Sequence, residues 1–138
     1  MFKVLLAMLF VIPLTARSAE NELKEGKWEL KISIKTGGIP NMPALPSQAS
    51  TRTQCIKKGD GEIKDAPKMV TDQACKVSNI KVSGTKVSWN IECDRDGVVS
   101  KGKGSFINKN TSFESTNETD MSMSEGMSMK TSTKIVGK

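Results

Sequence analysis

Apolar and polar residues alternate along much of this chain, which indicates strands rather than helices. In the stretch 28–35, Trp28, Leu30, Ile32 and Ile34 occupy every second position, and polar residues fill the positions between them. A two-residue period puts successive side chains on opposite faces of a sheet. The pattern therefore predicts a strand with one buried face.

Turn-forming residues separate further stretches of the same kind. Prolines at 40, 43 and 46 indicate a loop, because proline lacks the N–H that a sheet ladder needs. The threonine-rich stretch 50–56 predicts a second strand, and Asp65-Ala66-Pro67 opens at most one short helix near 65–74. After the hairpin described next, the predicted strands cover residues 98–107, 111–123 and 127–136.

The segment from Cys75 to Cys93 predicts a β-hairpin closed by a disulfide. With Gly84-Thr85 at the tip, a one-residue bulge at Ser78-Asn79 brings all the apolar positions of the two strands into step. The apolar pairs are then Val82 with Val87, Ile80 with Trp89, and Val77 with Ile91. The same register sets Cys75 opposite Cys93, so we expect these two cysteines to form a cross-strand disulfide.

Six or seven short strands with little helix predict an all-β fold built as an antiparallel meander. A single sheet of this kind has an apolar face to hide and two edges to protect. We therefore expect it to form a small barrel or a strongly curved sheet.

The first residues resemble a secretory signal peptide. Lys3 precedes an apolar run at 4–14, and Ala16-Arg17-Ser18 supplies small residues for cleavage after Ser18. The apolar run is too short to span a bilayer core of about 30 Å. We expect a signal peptide at 1–18, a single β domain at 19–138, a periplasmic or secreted location, and no stable membrane insertion after cleavage.

Composition narrows the classes of partner and of chemistry. The net charge of +6 falls to +4 when Lys3 and Arg17 leave with the signal peptide, and aromatic residues make up only 4% of the chain. Base stacking needs aromatic platforms, so no nucleic-acid partner is expected. The chain contains no histidine, which removes the usual general base, and we expect a non-enzymatic protein with no cofactor.

The third cysteine, Cys55, has no partner in the predicted hairpin. Exported proteins tend to oxidise their cysteines in pairs, so an odd cysteine stays free or joins a second molecule. Both alternatives stay open, and the second predicts a Cys55-linked dimer.

A methionine-rich hairpin near the C-terminus is the sharpest functional motif. With Ser124-Glu125-Gly126 as the loop, Met121, Met123, Met127 and Met129 fall on one face. Methionine commonly fills irregular space in an apolar core, which is the structural interpretation. The functional alternatives are a Cu(I) site made of thioethers, with no other metal expected, and a cavity for a small apolar ligand behind Met121 and Met129.

These motifs together resemble one known family. The set comprises Gly26-Lys27-Trp28-Glu29, Thr53-Gln54-Cys55, the span from Cys75-Lys76-Val77 to Cys93 and the late methionine hairpin. In their order and spacing they resemble the small exported bacterial proteins grouped as domain of unknown function 3617. The resemblance implies the periplasm or cell exterior of Gram-negative bacteria and no established activity.

Overall fold

Seven antiparallel strands make one continuous sheet in the computed structural model, which describes residues 22–39, 41–123 and 126–138. The strands are β1 (Gly26–Gly37), β2 (Gln48–Ile56), β3 (Cys75–Ser83), β4 (Lys86–Arg95), β5 (Val98–Asn108), β6 (Phe113–Ser122) and β7 (Ser128–Gly137). A 3₁₀ turn (Ile63–Asp65) leads into the short helix α1 (Ala66–Val70). The predicted all-β meander is confirmed.

The order of strands across the sheet is β2-β1-β7-β6-β5-β4-β3. Pairing of β1 with β7 brings the first and last strands together, so only the junction between β2 and β3 would have to close to make a barrel. That junction stays open, and the strongly curved sheet is the form that the chain adopts. Residues of β2 and of β3 line one cleft on the concave face, which shows how far the sheet curls.

The connection between β2 and β3 explains why the sheet is curved but open. The connection, residues 57–74, carries the 3₁₀ turn and α1 across the concave face, where Ile63 and Ala66 are buried among the strand residues. Burying a large apolar side chain such as that of Ile63 stabilises the fold by about 1.5–3 kcal/mol relative to leaving it exposed. The connection therefore covers the sheet as a partial second layer.

Large aromatic side chains fill one end of the concave face. The ring centroids of Trp28 and Phe113 lie 5.5 Å apart, and those of Phe106 and Phe113 lie 4.8 Å apart. Phe106 and Phe113 are at most 1% exposed, and Trp89 is 2% exposed. This end of the sheet is the core.

The β3–β4 hairpin forms as its sequence predicts. Cys75 pairs with Cys93 across the two strands, and their sulfur atoms are bonded at 2.01 Å. The register shifts by one residue between Ser78 and Lys81, where Asn79 has a φ of 51°, so the bulge is confirmed. In the outer half of the hairpin, edge strand β3 adds little to the core, whereas Val87 and Trp89 of β4 are buried in it. The two apolar edge residues there are Ile80, which is 46% exposed, and Val82, which is 49% exposed.

The helix is shorter than its sequence predicts, because it ends at Val70 rather than near Ala74. Thr71 has extended backbone angles, φ −112° and ψ 153°. Its hydroxyl donates a hydrogen bond to the carbonyl of Pro67 at 2.7 Å, and its N–H donates to the same carbonyl at 3.1 Å. Thr71 thereby satisfies the last turn and stops the helix.

Two sequence predictions fall outside the described residues. The signal peptide at 1–18 is one, and Ser124 and Glu125 of the methionine loop are the other. Within the described part of the chain, no helix has the length and apolar character that crossing a bilayer requires.

The Cys75–Cys93 disulfide is expected to raise the free energy of unfolding by a predictable amount. It joins residues 18 positions apart, and closing a loop of that size is worth about 3 kcal/mol in the chain-entropy model. We expect Cys75→Ser/Cys93→Ser to lower the free energy of unfolding in urea by about that amount. Cys55→Ser is the control and should change it by less than about 0.5 kcal/mol, because Cys55 is exposed. Equal stability of the double variant and the parent would contradict the assignment.

Candidate functional site

An open cleft with a volume of about 930 Å³ occupies the half of the concave face that the aromatic core leaves free. Strand β6 runs from the core into the cleft. Phe113 is buried in the core, and Asn117 and Met121, four and eight residues further along the strand, line the cleft. One sheet face thus holds a packed core at one end and a cleft at the other.

Small side chains in register create the cleft. Across β1, β7, β6 and β5, one row of paired positions reads Ile34, Thr133, Asn117 and Gly104, and the next reads Thr36, Thr131, Thr119 and Gly102. Toward the core end, the corresponding rows include larger apolar side chains, among them Leu30, Phe106 and Phe113. Because threonine and glycine occupy so much less volume, they leave the space that the aromatic rings fill elsewhere.

The walls of the cleft combine apolar and cationic groups. Met69 and Val70 of α1 are half-buried against the core and line one side. Arg52 extends from edge strand β2, and Lys68 and Arg95 lie at the rim. The two rim cations have carboxylate partners, since Arg95 contacts Asp72 and the Lys68 ammonium lies 3.1 Å from a carboxylate oxygen of Asp65. Arg52 has no salt-bridge partner among the described residues.

A buried polar pair lies beneath the cleft at the boundary with the core. Asn117 is 8% exposed, and its side-chain N–H donates to the carbonyl of Val70 at 3.4 Å, which ties β6 to α1. Its Oδ1 and the indole Nε1 of Trp89 are both buried, and neither has a hydrogen-bond partner within the described segments. Both atoms lie 2.3 Å from the position that a Cβ on Gly104 would occupy, so a buried acceptor and a buried donor share the space above a glycine. The lack of a side chain at Gly104 is what makes room for them.

The methionine hairpin lies at the open end of the cleft. Met121 pairs with Met129, and the N–H of Met123 donates to the carbonyl of Met127 at 2.8 Å. Met121, Met127 and Met129 are half-buried, and Met123 is 38% exposed. The interpretation of these methionines as a core face is therefore wrong, because none of the four belongs to the buried core cluster or to the half-buried residues packed against it. Met121 instead forms part of the cleft lining.

Cys55 lies apart from the cleft. It is exposed on edge strand β2, paired in register with Lys27, whose position faces away from the concave side. Cys55 forms no disulfide within the described residues. Its role as a free or intermolecular thiol stays a prediction.

The groups with shifted pKa values lie outside the cleft. The pKa of Lys64 is raised by a hydrogen bond from its ammonium to Glu62 and by the charge of that carboxylate. The pKa of Glu114 is lowered by the hydrogen bond that Lys109 donates at 2.8 Å and by the lysine's charge. Both ion pairs are exposed and belong to the polar surface of the fold. The described segments hold no cluster of three or more histidine, cysteine or carboxylate side chains that could bind a metal.

Sequence reasoning missed Arg52, Asn117 and the helix wall of this site. The signal was present in β6, where polar residues at 115, 117 and 119 occupy positions that alternation assigns to the buried face. A buried strand face that changes from aromatic to polar along its length indicates a place where the core ends. Asn117 and Thr119 of that stretch line the cleft, whereas Ser115 is buried in the core region.

A family model described as "Protein of unknown function (DUF3617)" matches residues 23–138, which include all seven strands. Neither a curated protein nor a solved structure matches the chain.

The arrangement above Gly104 predicts a substitution effect. A Cβ at this position would lie 2.1 Å from a ring carbon of Trp89, so we expect Gly104→Ala to lower the free energy of unfolding by about 1–3 kcal/mol through overpacking. The control is Gly37→Ala in β1, where a Cβ would meet nothing within 4 Å. Urea denaturation of both variants measures the difference. Equal effects at the two glycines would show that the close approach at Gly104 is not present in solution.

Proposed function

The chain belongs to this family of proteins of unknown function, and on that premise we propose that it is an exported, non-enzymatic protein that binds an amphipathic small ligand in its concave cleft. The observation that supports the proposal is the cleft of about 930 Å³, which lies within the usual range of about 300–1,000 Å³ for small-molecule sites.

Export is supported by the N-terminal sequence. Residues 1–18 have the basic start, apolar run and small residues of a signal peptide. The Cys75–Cys93 disulfide agrees with an oxidising compartment such as the periplasm.

The apolar part of the ligand would lie along the walls and floor of the cleft. The apolar lining residues come from five strands and from α1: Ile32, Ile34, Met69, Val70, Ile91, Val98, Met121 and Ile135. Threonine side chains between them offer hydroxyl groups and methyl groups side by side. A site of this mixed kind suits a ligand that has both an apolar body and a polar end.

The polar end would be anionic. Arg52 reaches the cleft from β2 without a salt-bridge partner in the described part of the chain, and Arg95 reaches it from the end of β4. A guanidinium group presents several N–H donors in one plane and pairs well with carboxylate, phosphate or sulfonate oxygens. A carboxylate or comparable anion beside Arg52 would therefore complete the site.

A binding role rather than catalysis is supported by the residue types available. The chain has no histidine, and the cleft contains hydroxyl, amide, thioether and guanidinium groups around an apolar lining. Asp72, the carboxylate that lines the cleft, already contacts Arg95. These groups suit recognition of a ligand better than proton transfer.

A dye titration tests the cleft. The probe is 1-anilinonaphthalene-8-sulfonate, whose rings are apolar and whose sulfonate is anionic, and its fluorescence rises when it leaves water. We expect Thr133→Phe and Arg52→Gln each to weaken binding about tenfold, a loss of about 1.4 kcal/mol. The phenylalanine ring fills the floor and takes the space of the dye's rings, and the glutamine removes the cation that pairs with the sulfonate.

Matched controls are available on the other face of the sheet. Ser132→Phe adds the same ring one position away, and Lys31→Gln removes a positive charge from the neighbouring strand β1. Both should leave the dye affinity within about twofold, because the alternating positions point away from the cleft. If Thr133→Phe and Ser132→Phe weaken binding equally, the cleft is not the site. Native mass spectrometry of protein purified from its own cell envelope then identifies the retained ligand.

A second candidate function is Cu(I) binding by the methionine hairpin. The specific observation is the pairing of the four methionines across the hairpin. Met121 lies opposite Met129, and Met123 lies opposite Met127 at the next position on the same face. Thioether sulfur is a soft ligand that prefers Cu(I).

Competition with a Cu(I) chelator tests this candidate. We expect the parent protein to take up one Cu(I) and the variant with all four methionines changed to leucine to bind it at least about tenfold more weakly, since each lost soft ligand removes a metal bond. Leucine has nearly the volume of methionine, so the hairpin should stay folded. Equally weak binding by parent and variant would end the copper hypothesis.

A further inference from the structure

The convex face of the sheet carries a second concavity, unrelated to the cleft. It has a volume of about 780 Å³ and lies over strands β3 to β6. We propose that this concavity, here called the lysine pocket, is a binding site for a phosphate group, and that the three lysines around it, Lys81, Lys86 and Lys103, hold the phosphate oxygens.

The floor of the lysine pocket is a row of hydroxyl groups. Ser88 of β4 pairs in register with Ser105 of β5, and Ser105 pairs with Thr116 of β6. All three lie on the face opposite to the aromatic core and are half-buried. Because these side chains are short, they leave a depression surrounded by longer ones, and their hydroxyls can donate hydrogen bonds to an oxyanion.

The rim brings lysines together from three different strands. Lys81 of β3 pairs with Ser88, Lys86 lies two residues before Ser88 on β4, and Lys103 lies two residues before Ser105 on β5. The same register that makes the hydroxyl row therefore surrounds it with three ammonium groups. Asn79 and Asn90 add amide groups to the lining.

The charge in this pocket is only partly neutralised by neighbouring side chains, since one carboxylate, that of Glu118, lies opposite Lys103 in the register. Lys31, Lys101, Lys109 and Lys130 elsewhere on the sheet and its turns each have a carboxylate partner. Lys81, Lys86 and Lys103 have no salt-bridge partner among the described residues, and the lining contains one carboxylate, that of Glu118. The lining thus has an excess of two positive charges, which matches a phosphate that carries one to two negative charges.

The argument points to phosphate rather than to carboxylate. Three separate ammonium groups and three hydroxyls around one depression offer donors from several directions, and a tetrahedral oxyanion can accept from several directions at once. A planar carboxylate would engage only part of this set. The phosphate could belong to a free small molecule or to a lipid headgroup, and the test distinguishes the two sources.

The test uses pyrophosphate as the probe and follows backbone amide signals by NMR. We expect saturable shifts centred on residues 86–90 and 103–105. Lys81→Gln/Lys86→Gln/Lys103→Gln should weaken binding by at least about tenfold, because it removes all three charge-assisted donors. Lys27→Gln/Lys31→Gln/Lys35→Gln removes the same charge from one strand of the same face and should change the affinity by less than about twofold, since strand β7 separates β1 from the strands of the pocket and solvent ions screen exposed charges.

A neutral substitution separates a built site from general attraction to a basic surface. Ser105→Leu fills the floor without changing the charge, and we expect it to weaken pyrophosphate binding about tenfold as well. Equal weakening by the two lysine triples, no effect of Ser105→Leu, or the absence of saturable shifts would each overturn the proposal.

A second arm with vesicles identifies the source of the phosphate. Vesicles of phosphatidylcholine with phosphatidic acid are compared with vesicles of phosphatidylcholine alone. Binding of pyrophosphate with no vesicle binding supports a free phosphate ligand, and binding of the acidic vesicles that the pocket triple abolishes supports a lipid headgroup. Thr133→Phe in the cleft should alter neither result, so failure of the lysine pocket and failure of the cleft are distinguishable.

Discussion

The structure depends on one constraint: a single sheet has one apolar face and no second sheet to cover it. The only cover within the described residues that crosses the concave side is the connection at 57–74, which carries one short helix. The curling of the sheet brings Trp28, Phe106 and Phe113 together at one end, where they exclude water. No other described segment covers the other end, and there the face is lined by threonine and remains open as a cleft. Core and cleft are thus two outcomes of the same shortage of covering layer.

Local periodicity accounts for most of the fold that the sequence predicts. Alternation over 28–35 identifies the middle of β1, whose bounds are Gly26–Gly37. The bulge and the Cys75–Cys93 pair follow from the same rule, because the two strands adjoin in sequence and the turn between them sets their register. Contacts between neighbouring strands of a meander are therefore predictable from a short window. The family resemblance, based on the spacing of these same residues, is confirmed by the match over 23–138.

The walls of the cleft and the partial exposure of the methionines were not predicted, because both depend on contacts between distant parts of the chain. Alternation predicts that Thr119, Thr131 and Thr133 share a face with apolar residues, but it does not predict whether another part of the chain covers that face. The same limit applies to the methionines, whose positions on the inner face are correct but whose expected burial in the core is not. Whether β2 meets β3 depends on where the connection at 57–74 lies, and no periodic signal in that segment fixes its position. Arg52 of β2 was not predicted as a site residue for this reason. It reaches the cleft only because the sheet curls.

Residue size in register links the two proposed binding sites. Along β5, Gly104 lies beneath the indole of Trp89 on the concave face, and the next residue, Ser105, lies in the hydroxyl row of the convex face. A larger residue at the first position would displace the indole, and a larger residue at the second would fill the lysine pocket. Strands β5 and β6 therefore contribute small side chains to both faces, and the floors of both concavities arise from the sheet itself, while residues 68–73 form one wall of the cleft. Concavities made in this way are fixed by strand pairing, so the groups around them are positioned before any ligand arrives, which lowers the entropic cost of binding.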